Sequence, residues 1–131
     1  MPTNISQIRV RYAETDKMGV VYYANYFVWF EVARCDLLRS LGYIYAKLEE
    51  DGLMLPVISA QCDYLSSAHY DETLDVLTHC EILSPVRVKF TYDISRSADG
   101  NKLATGKTIH AAVNLDGHLH RLPDEVQKVL A

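Results

Sequence analysis

The sequence predicts an α+β fold, one antiparallel sheet of about five strands with one long helix packed against it as a second layer. Three observations carry that expectation. Apolar residues alternate with polar ones in residues 8–12 and, most regularly, in 86–95. The period becomes helical over residues 23–41. After Pro56 the chain reads as strands punctuated by the breakers Ser84-Pro85, Asp99-Gly100 and Asp116-Gly117.

In the first strand Ile8, Val10 and Tyr12 alternate with Arg9 and Arg11. In the helix Phe27, Phe30, Ala33, Leu37, Leu38 and Leu41 share a face, and Glu31, Arg34, Asp36 and Arg39 fall largely elsewhere. Asn25 or a neighbour is placed to cap its start, and Gly42 to end it. Residues 47–52 form a short polar connector with helical leanings. Ile58, Ala60, Cys62 and Tyr64 then alternate with Ser59, Gln61 and Asp63. Residues 73–83 put Leu74, Val76, Cys80 and Ile82 on one side. Val88, Phe90, Tyr92 and Ile94 alternate with Arg87, Lys89, Thr91 and Asp93 in the cleanest strand. The last strand spans residues 103–115, with the small Ala104, Gly106 and Ala112 on one face, and Leu122-Pro123 leads into a short tail. The strands after the helix are expected to be joined mainly by hairpins. The sheet face away from the helix is expected to stay partly apolar, which points to pairing with a second copy of the chain.

A length of 131 residues suits one domain, 1–131, with a real core. The net charge of −4 argues against nucleic acid or an anionic membrane as the main partner. The N-terminus lacks the pattern of a secretory signal, and no apolar run approaches the length of a membrane span. Cys35, Cys62 and Cys80 are odd in number and match no zinc or redox spacing, so they read as reduced core thiols of a cytoplasmic protein.

The chemistry concentrates in residues 15–26, Thr-Asp-Lys-Met-Gly-Val-Val-Tyr-Tyr-Ala-Asn-Tyr. A lone carboxylate, Asp16, follows the first strand in a loop containing Gly19, and the helix begins shortly after. A carboxylate facing a helix N-terminus can do acyl chemistry. It serves as nucleophile or base, and the helix-end N–H groups meet the developing oxyanion. Aspartate before a helix is also a common loop builder, so spacing alone leaves both roles open. Glu31 is the rival carboxylate, read more simply as an exposed acid or one paired with Arg34 or Arg11. Arg87 and Lys89 share a strand face, with Arg96 extending that side. They suit either phosphate contact or a solvated surface. Tyr22, Tyr23 and Tyr26 are expected to be structural or pocket-lining, since an ordinary phenol pKa near 10 is poor for proton transfer at neutral pH. Asp116-Gly117-His118-Leu119-His120 lacks fixed third and fourth ligands and reads as a turn, so no metal is expected. His69, His79 and His110 are isolated, and no Gly-x-Ser-x-Gly elbow is present.

The run Arg9-Val10, Thr15-Asp16 and Gly19-Val20-Val21-Tyr22-Tyr23-Ala24-Asn25-Tyr26 resembles the signature of the hotdog-fold acyl-CoA thioesterases. The nearest branch is the 4-hydroxybenzoyl-CoA thioesterase group with its YbgC-like enzymes, and Phe30-Glu31-Val32-Ala33-Arg34 resembles their helix segment. The resemblance implies hydrolysis of an acyl-CoA without metal or redox cofactor. It also implies a dimeric or tetrameric assembly with a continuous sheet and sites at the subunit interface. Asp16 takes the place of the catalytic aspartate. Tyr23 takes that of the helix-start residue whose backbone N–H polarises the thioester carbonyl. Gly19 and Val20 lie where the loop meets substrate, and Arg87 and Lys89 are candidates for the coenzyme A phosphates. Many YbgC-like members carry His where Tyr23 stands, so only a backbone role transfers to this position.

Two other readings belong to the same fold. A hydratase-like pattern places His five positions after the aspartate, where this chain has Val21. A non-catalytic acyl-CoA sensor has no need of Asp16. Acyl carrier protein thioesters are an alternative substrate, docking an acidic carrier near Arg87 and Lys89. Phe27, Phe30 and Tyr64 are candidates to line an aryl or medium-chain acyl pocket.

Overall fold

Strands β1 (Thr3–Arg9), β2 (Val57–Tyr64), β3 (Thr73–Ser84), β4 (Arg87–Arg96) and β5 (Lys102–Ala111) form one antiparallel sheet in the order β1-β3-β4-β5-β2. This is the arrangement in the computed structural model, which describes residues 1–43 and 45–131. The cleanest alternation in the sequence thus lies at the sheet's centre. Val88, Phe90, Tyr92 and Ile94 of β4 are buried on one face, beside Leu74, Val76 and Cys80 of β3. Hairpins join β3 to β4 and β4 to β5, the second through Gly100 at φ 72°. The link from β2 to β3 departs from the expected hairpin, because β2 pairs with β5 on the far edge of the sheet. Local turn signals specify neighbours in sequence, whereas the place of β2 depends on long-range pairing.

Helix α1 (Asn25–Ser40) lies on the inner face of this sheet and buries Tyr26, Trp29, Phe30, Ala33, Leu37 and Leu38. The stripe is rotated from the expected one, since Tyr26 and Trp29 are buried while Phe27 and Leu41 are only partly so. The close approach rests on Gly106 of β5. The Phe30 ring occupies the space a side chain there would need, with Cζ only 2.4 Å from an added Cβ. The same ring stacks on Tyr92 at 4.2 Å between centroids. At the C-terminus Gly42 (φ 92°) donates to the Arg39 carbonyl at 3.0 Å, and Tyr43 donates to Leu38 at 2.8 Å, a Schellman closure. At the start, Ala24 is the cap residue and supplies no side-chain bond. Asn25 instead spends its amide on the Glu14 carbonyl, 2.9 Å away, so the expected Asn25 cap is not formed.

The connector expected at 47–52 is the short helix α2 (Tyr45–Glu50). The tail forms helix α3 (Asp124–Leu130), which buries Val126 and Leu130 against the sheet, so it is more than the short tail read from Leu122-Pro123. The Leu122 N–H reaches the Pro85 carbonyl at 2.8 Å and ties this segment to the β3–β4 turn. The outer sheet face is mostly polar, carrying Gln61, Asp63, Asp75, Glu81, Lys89, Thr91, Asp93 and Lys107. Apolar groups remain on it at Ile5, paired with Leu77, and at Ile109, and others are exposed at Val57 and Ile58 on the edge strand and at Val28 and Val32 on the outer flank of α1. The small residues Ala104 and Gly106 of β5 face the helix, and the outer face is partly apolar, as expected. Among the described residues no helix is long and apolar enough to cross a membrane.

A polar chain crosses the inner layer. The Tyr92 hydroxyl lies 2.7 Å from Thr108 Oγ1, which lies 2.8 Å from His110 Nε2. His110 Nδ1 is 2.8 Å from the Leu55 carbonyl. That carbonyl can only accept, so Nδ1 carries the proton, Nε2 accepts from Thr108, and Thr108 accepts from Tyr92. Burial pushes the His110 pKa down to about 4. The bond to Leu55 opposes that shift, and the nearby Arg34 charge reinforces it.

Candidate active site

After β1, the Val10 N–H bonds to the Glu72 carbonyl, and a 3-10 turn over Tyr12–Glu14 redirects the chain. Thr15 then pairs with Val21, closing a tight loop. Inside it the Asp16 N–H donates to the Val20 carbonyl at 2.9 Å, and Gly19 N–H donates to the Asp16 carbonyl at 3.0 Å. Met18 N–H donates to Asp16 Oδ1 at 2.9 Å. This Asx-type turn leaves the second carboxylate oxygen without a protein partner among the described residues. Gly19 adopts φ 77°, a conformation that other residues rarely take. An added Cβ there would meet nothing within 4 Å, so open space lies beside the loop. Val20 bridges to His69, and the Val21 N–H bonds to the Ala68 carbonyl at 2.9 Å, docking the loop on the segment before β3.

The chain leaves the loop straight into α1. Tyr22 N–H donates to the Glu14 carbonyl at 2.9 Å. The Tyr23 N–H has no acceptor among the described residues, as befits a helix start. The Tyr23 carbonyl is held by the Tyr64 hydroxyl at 2.9 Å. Tyr23 and Tyr26 both meet the Tyr64 ring edge to face, at 6.4 and 5.0 Å. Together with Val21, Leu65, Ser66 and Ser67 these rings wall a cleft of about 310 Å³. Burial raises the phenol pKa of both Tyr26 and Tyr64, so at neutral pH they supply walls and O–H donors rather than proton transfer.

The site residues read from the sequence divide by position. Asp16, Gly19, Val20 and Tyr23 come from one continuous stretch, although Asp16 is not among the residues lining the tyrosine cleft. Tyr22 is exposed, Tyr26 is buried in the cleft wall, and Phe30 is a core residue against Tyr92. Arg87 and Lys89 lie on the outer face at the other end of β4, opposite Ala111 and Ile109 on β5. Arg96, at the near end, does not extend their side. It is held by Glu72 at 2.5 Å, by Asp99 at 2.9 Å and by the carbonyl of the cleft residue Ser67 at 3.1 Å. At about 3.3 Å per residue, Lys89 is therefore roughly 23 Å from that end of its own strand.

Glu31 is exposed on the outer flank of α1, beside Val28, Val32 and Cys35. It forms no ion pair with Arg34 or Arg11, because Arg11 is turned to Glu14. Burial raises all three cysteine thiols, Cys80 to about 12, so none is poised as a thiolate. His120 Nδ1 is spent on the Arg121 carbonyl at 2.8 Å, and no metal-binding group of three or more His, Cys, Asp or Glu occurs among the described residues. The sequence reading passed over Glu14, which is buried and takes the indole N–H of Trp29 at 2.8 Å. The one signal for it was indirect. A tryptophan on the buried side of a helix needs an acceptor for its N–H.

Residues 10–130 match the thioesterase-like superfamily. YneP of Bacillus subtilis, provisionally named an acyl-CoA thioesterase, is 41% identical over 98 residues, 75% of this chain and 71% of that protein. The acyl-CoA thioesterase YbgC of Haemophilus influenzae is 35% identical over 91 residues, 69% of this chain and 67% of its own length. Among solved structures, a DHNA-CoA thioesterase from Staphylococcus aureus superposes with a TM-score of 0.92 at 37% identity, covering 98% of this chain and 89% of that one.

Proposed function

Since the chain belongs to the thioesterase-like superfamily and resembles its YbgC-like acyl-CoA thioesterases, we propose that Asp16 and the Tyr23 amide hydrolyse an acyl-CoA whose acyl group enters the tyrosine-walled cleft. The protein is a hotdog-fold thioester hydrolase. One local observation carries the residue assignment. A single loop presents a carboxylate with an oxygen to spare and leads into a helix-start N–H that has no acceptor among the described residues. In the general-base route, Asp16 takes a proton from water as the water oxygen adds to the thioester carbon. The Tyr23 N–H receives the oxyanion. Collapse then breaks the C–S bond, and the proton passes to the departing thiolate. Attack by Asp16 itself uses the same groups and yields a mixed anhydride that water opens. Neither route calls for a cofactor.

Three tyrosine rings in the cleft favour an aromatic acyl group, with short or medium aliphatic chains as the competitors. The DHNA-CoA thioesterase relative supports the aromatic choice. Gly19 and Val20 border the thioester. Arg87 and Lys89 would reach coenzyme A phosphates from a second subunit, since within one chain they lie far from the cleft. A homo-oligomer joined through the β2 edge, where Val57 and Ile58 are exposed, provides that arrangement.

The test is free-thiol release from aromatic and aliphatic CoA esters by the wild type and Asp16→Asn. The expected loss is about 10²–10⁴-fold in kcat, the range for a positioned acid–base group. A folded Asp16→Asn protein with the wild-type rate would end the assignment. A full-length CoA ester should show a raised KM in Arg87→Ala or Lys89→Ala that a pantetheine ester does not.

A further inference from the structure

Glu14 is an acid that the hydrolysis does not consume, and it sits two residues before Asp16. The residue is 4% exposed, and its carboxylate accepts two strong bonds, from the Arg11 backbone N–H at 2.8 Å and from Trp29 Nε1 at 2.8 Å. The Arg11 guanidinium adds a longer contact at 3.4 Å. Its own carbonyl takes the Tyr22 N–H and the Asn25 side-chain amide, each at 2.9 Å. One residue therefore joins the strand exit, the end of the catalytic loop and the first turn of α1. Asp16 leaves this junction on one side and Tyr23 on the other.

We propose that Glu14 is a positioning residue, setting the distance between the Asp16 carboxylate and the Tyr23 N–H by bonding Arg11 and Trp29 at once. The inference rests on the proposed roles of Asp16 and Tyr23. Its chemistry requires a carboxylate. Both bonds run into acceptor oxygens, and Gln offers one oxygen and an NH₂ that would face a second donor. Asp is one methylene too short to span both partners. A loop held at one point only can shift Asp16 by about 1 Å, and a displacement of that size costs up to about a hundredfold in rate.

The experiment is a kinetic cycle of the wild type, Glu14→Gln, Asp16→Asn and the double variant on the best CoA ester, with amide exchange of Met18 and Gly19 followed by NMR. Glu14→Gln should lower kcat at least tenfold and change KM less than about threefold. In the Asp16→Asn background it should change the residual rate less than about twofold, because its effect passes through Asp16. Met18 and Gly19 amides should exchange at least about ten times faster, with β4 amides unchanged. Trp29→Phe removes the same bond from the other side and should reproduce the pattern should Glu14→Gln fail to fold. Equal losses in both backgrounds, or a folded variant with wild-type kcat and exchange, overturn the proposal. A wild type that hydrolyses no ester would refute the function instead, and the exchange measurement would still decide the positioning.

Discussion

His110 should make this protein acid-sensitive by a predictable amount. The residue is 1% exposed, and its neutral form is locked by the one-way chain from Tyr92 through Thr108 to the Leu55 carbonyl. Protonation places a second N–H against the Thr108 hydroxyl, which must then reverse its bond. The folded pKa is held down to about 4, against an ordinary value of 6.5. Above 6.5 neither state binds the proton and the full stability is present. Between 6.5 and 4 the unfolded chain takes up a proton that the folded chain refuses, so stability falls with pH. Below 4 both states are protonated and the loss is complete. A gap of that size corresponds to about 3 kcal/mol, a large part of the roughly 5–15 kcal/mol that holds a domain together. For a chain of this length it corresponds to about 10 °C in Tm. Chemical denaturation from pH 7 to 4 measures it, with His110→Gln as the reference. The variant loses the titration but shares the carboxylates that also weaken in acid, so the difference in slope isolates His110. Parallel slopes for the two proteins would refute the reasoning.

Gly106→Ala should destabilise by about 1–3 kcal/mol or more, because the added Cβ would meet Phe30 Cζ at 2.4 Å and the Gln61 carbonyl at 2.9 Å; a lowered denaturation midpoint checks it. Tyr64→Phe removes the bond to the Tyr23 carbonyl and should cost about 1 kcal/mol of stability, with a fall in kcat larger than any rise in KM. Glu31→Gln should leave kcat within about threefold of wild type, since the side chain is outside the tyrosine cleft and unpaired among the described residues; a large loss in a stable protein would restore it as a catalytic candidate.

Elements whose signal is local were legible in the sequence. The alternation in β4 predicts a strand with one buried face, and that strand lies at the sheet's centre, covered by the helix. Gly42 could be read as a helix end because a left-handed residue there closes the last turn. The Asp16 loop was legible as a candidate site for the same reason, since Asp16, Gly19 and Tyr23 are neighbours in the chain. What escaped depended on partners distant in sequence. Helix α3 has Pro123 before it, acids in its first turn and Val126 four residues from Leu130, yet seven residues gain their stability only from packing on the sheet. The rotation of α1 is equally non-local. Gly106 admits the Phe30 ring and Glu14 binds Trp29, which together turn Tyr26 and Trp29 inward and leave Phe27 at the margin.

The same distinction separates the two halves of the proposed site. The Asp16 loop and the Tyr23 amide are set by bonds within residues 11–29, so one folded chain already holds both. Arg87 and Lys89 are fixed by the register of β4 with β3 and β5, which carries them to the opposite end of the sheet. In the proposed hydrolysis a carboxylate and an amide that share one tetrahedral intermediate must be placed to within a fraction of an ångström, and adjacency in sequence supplies that accuracy. Phosphate recognition by long, flexible cations tolerates looser placement, so the role proposed for Arg87 and Lys89 is compatible with a subunit contact.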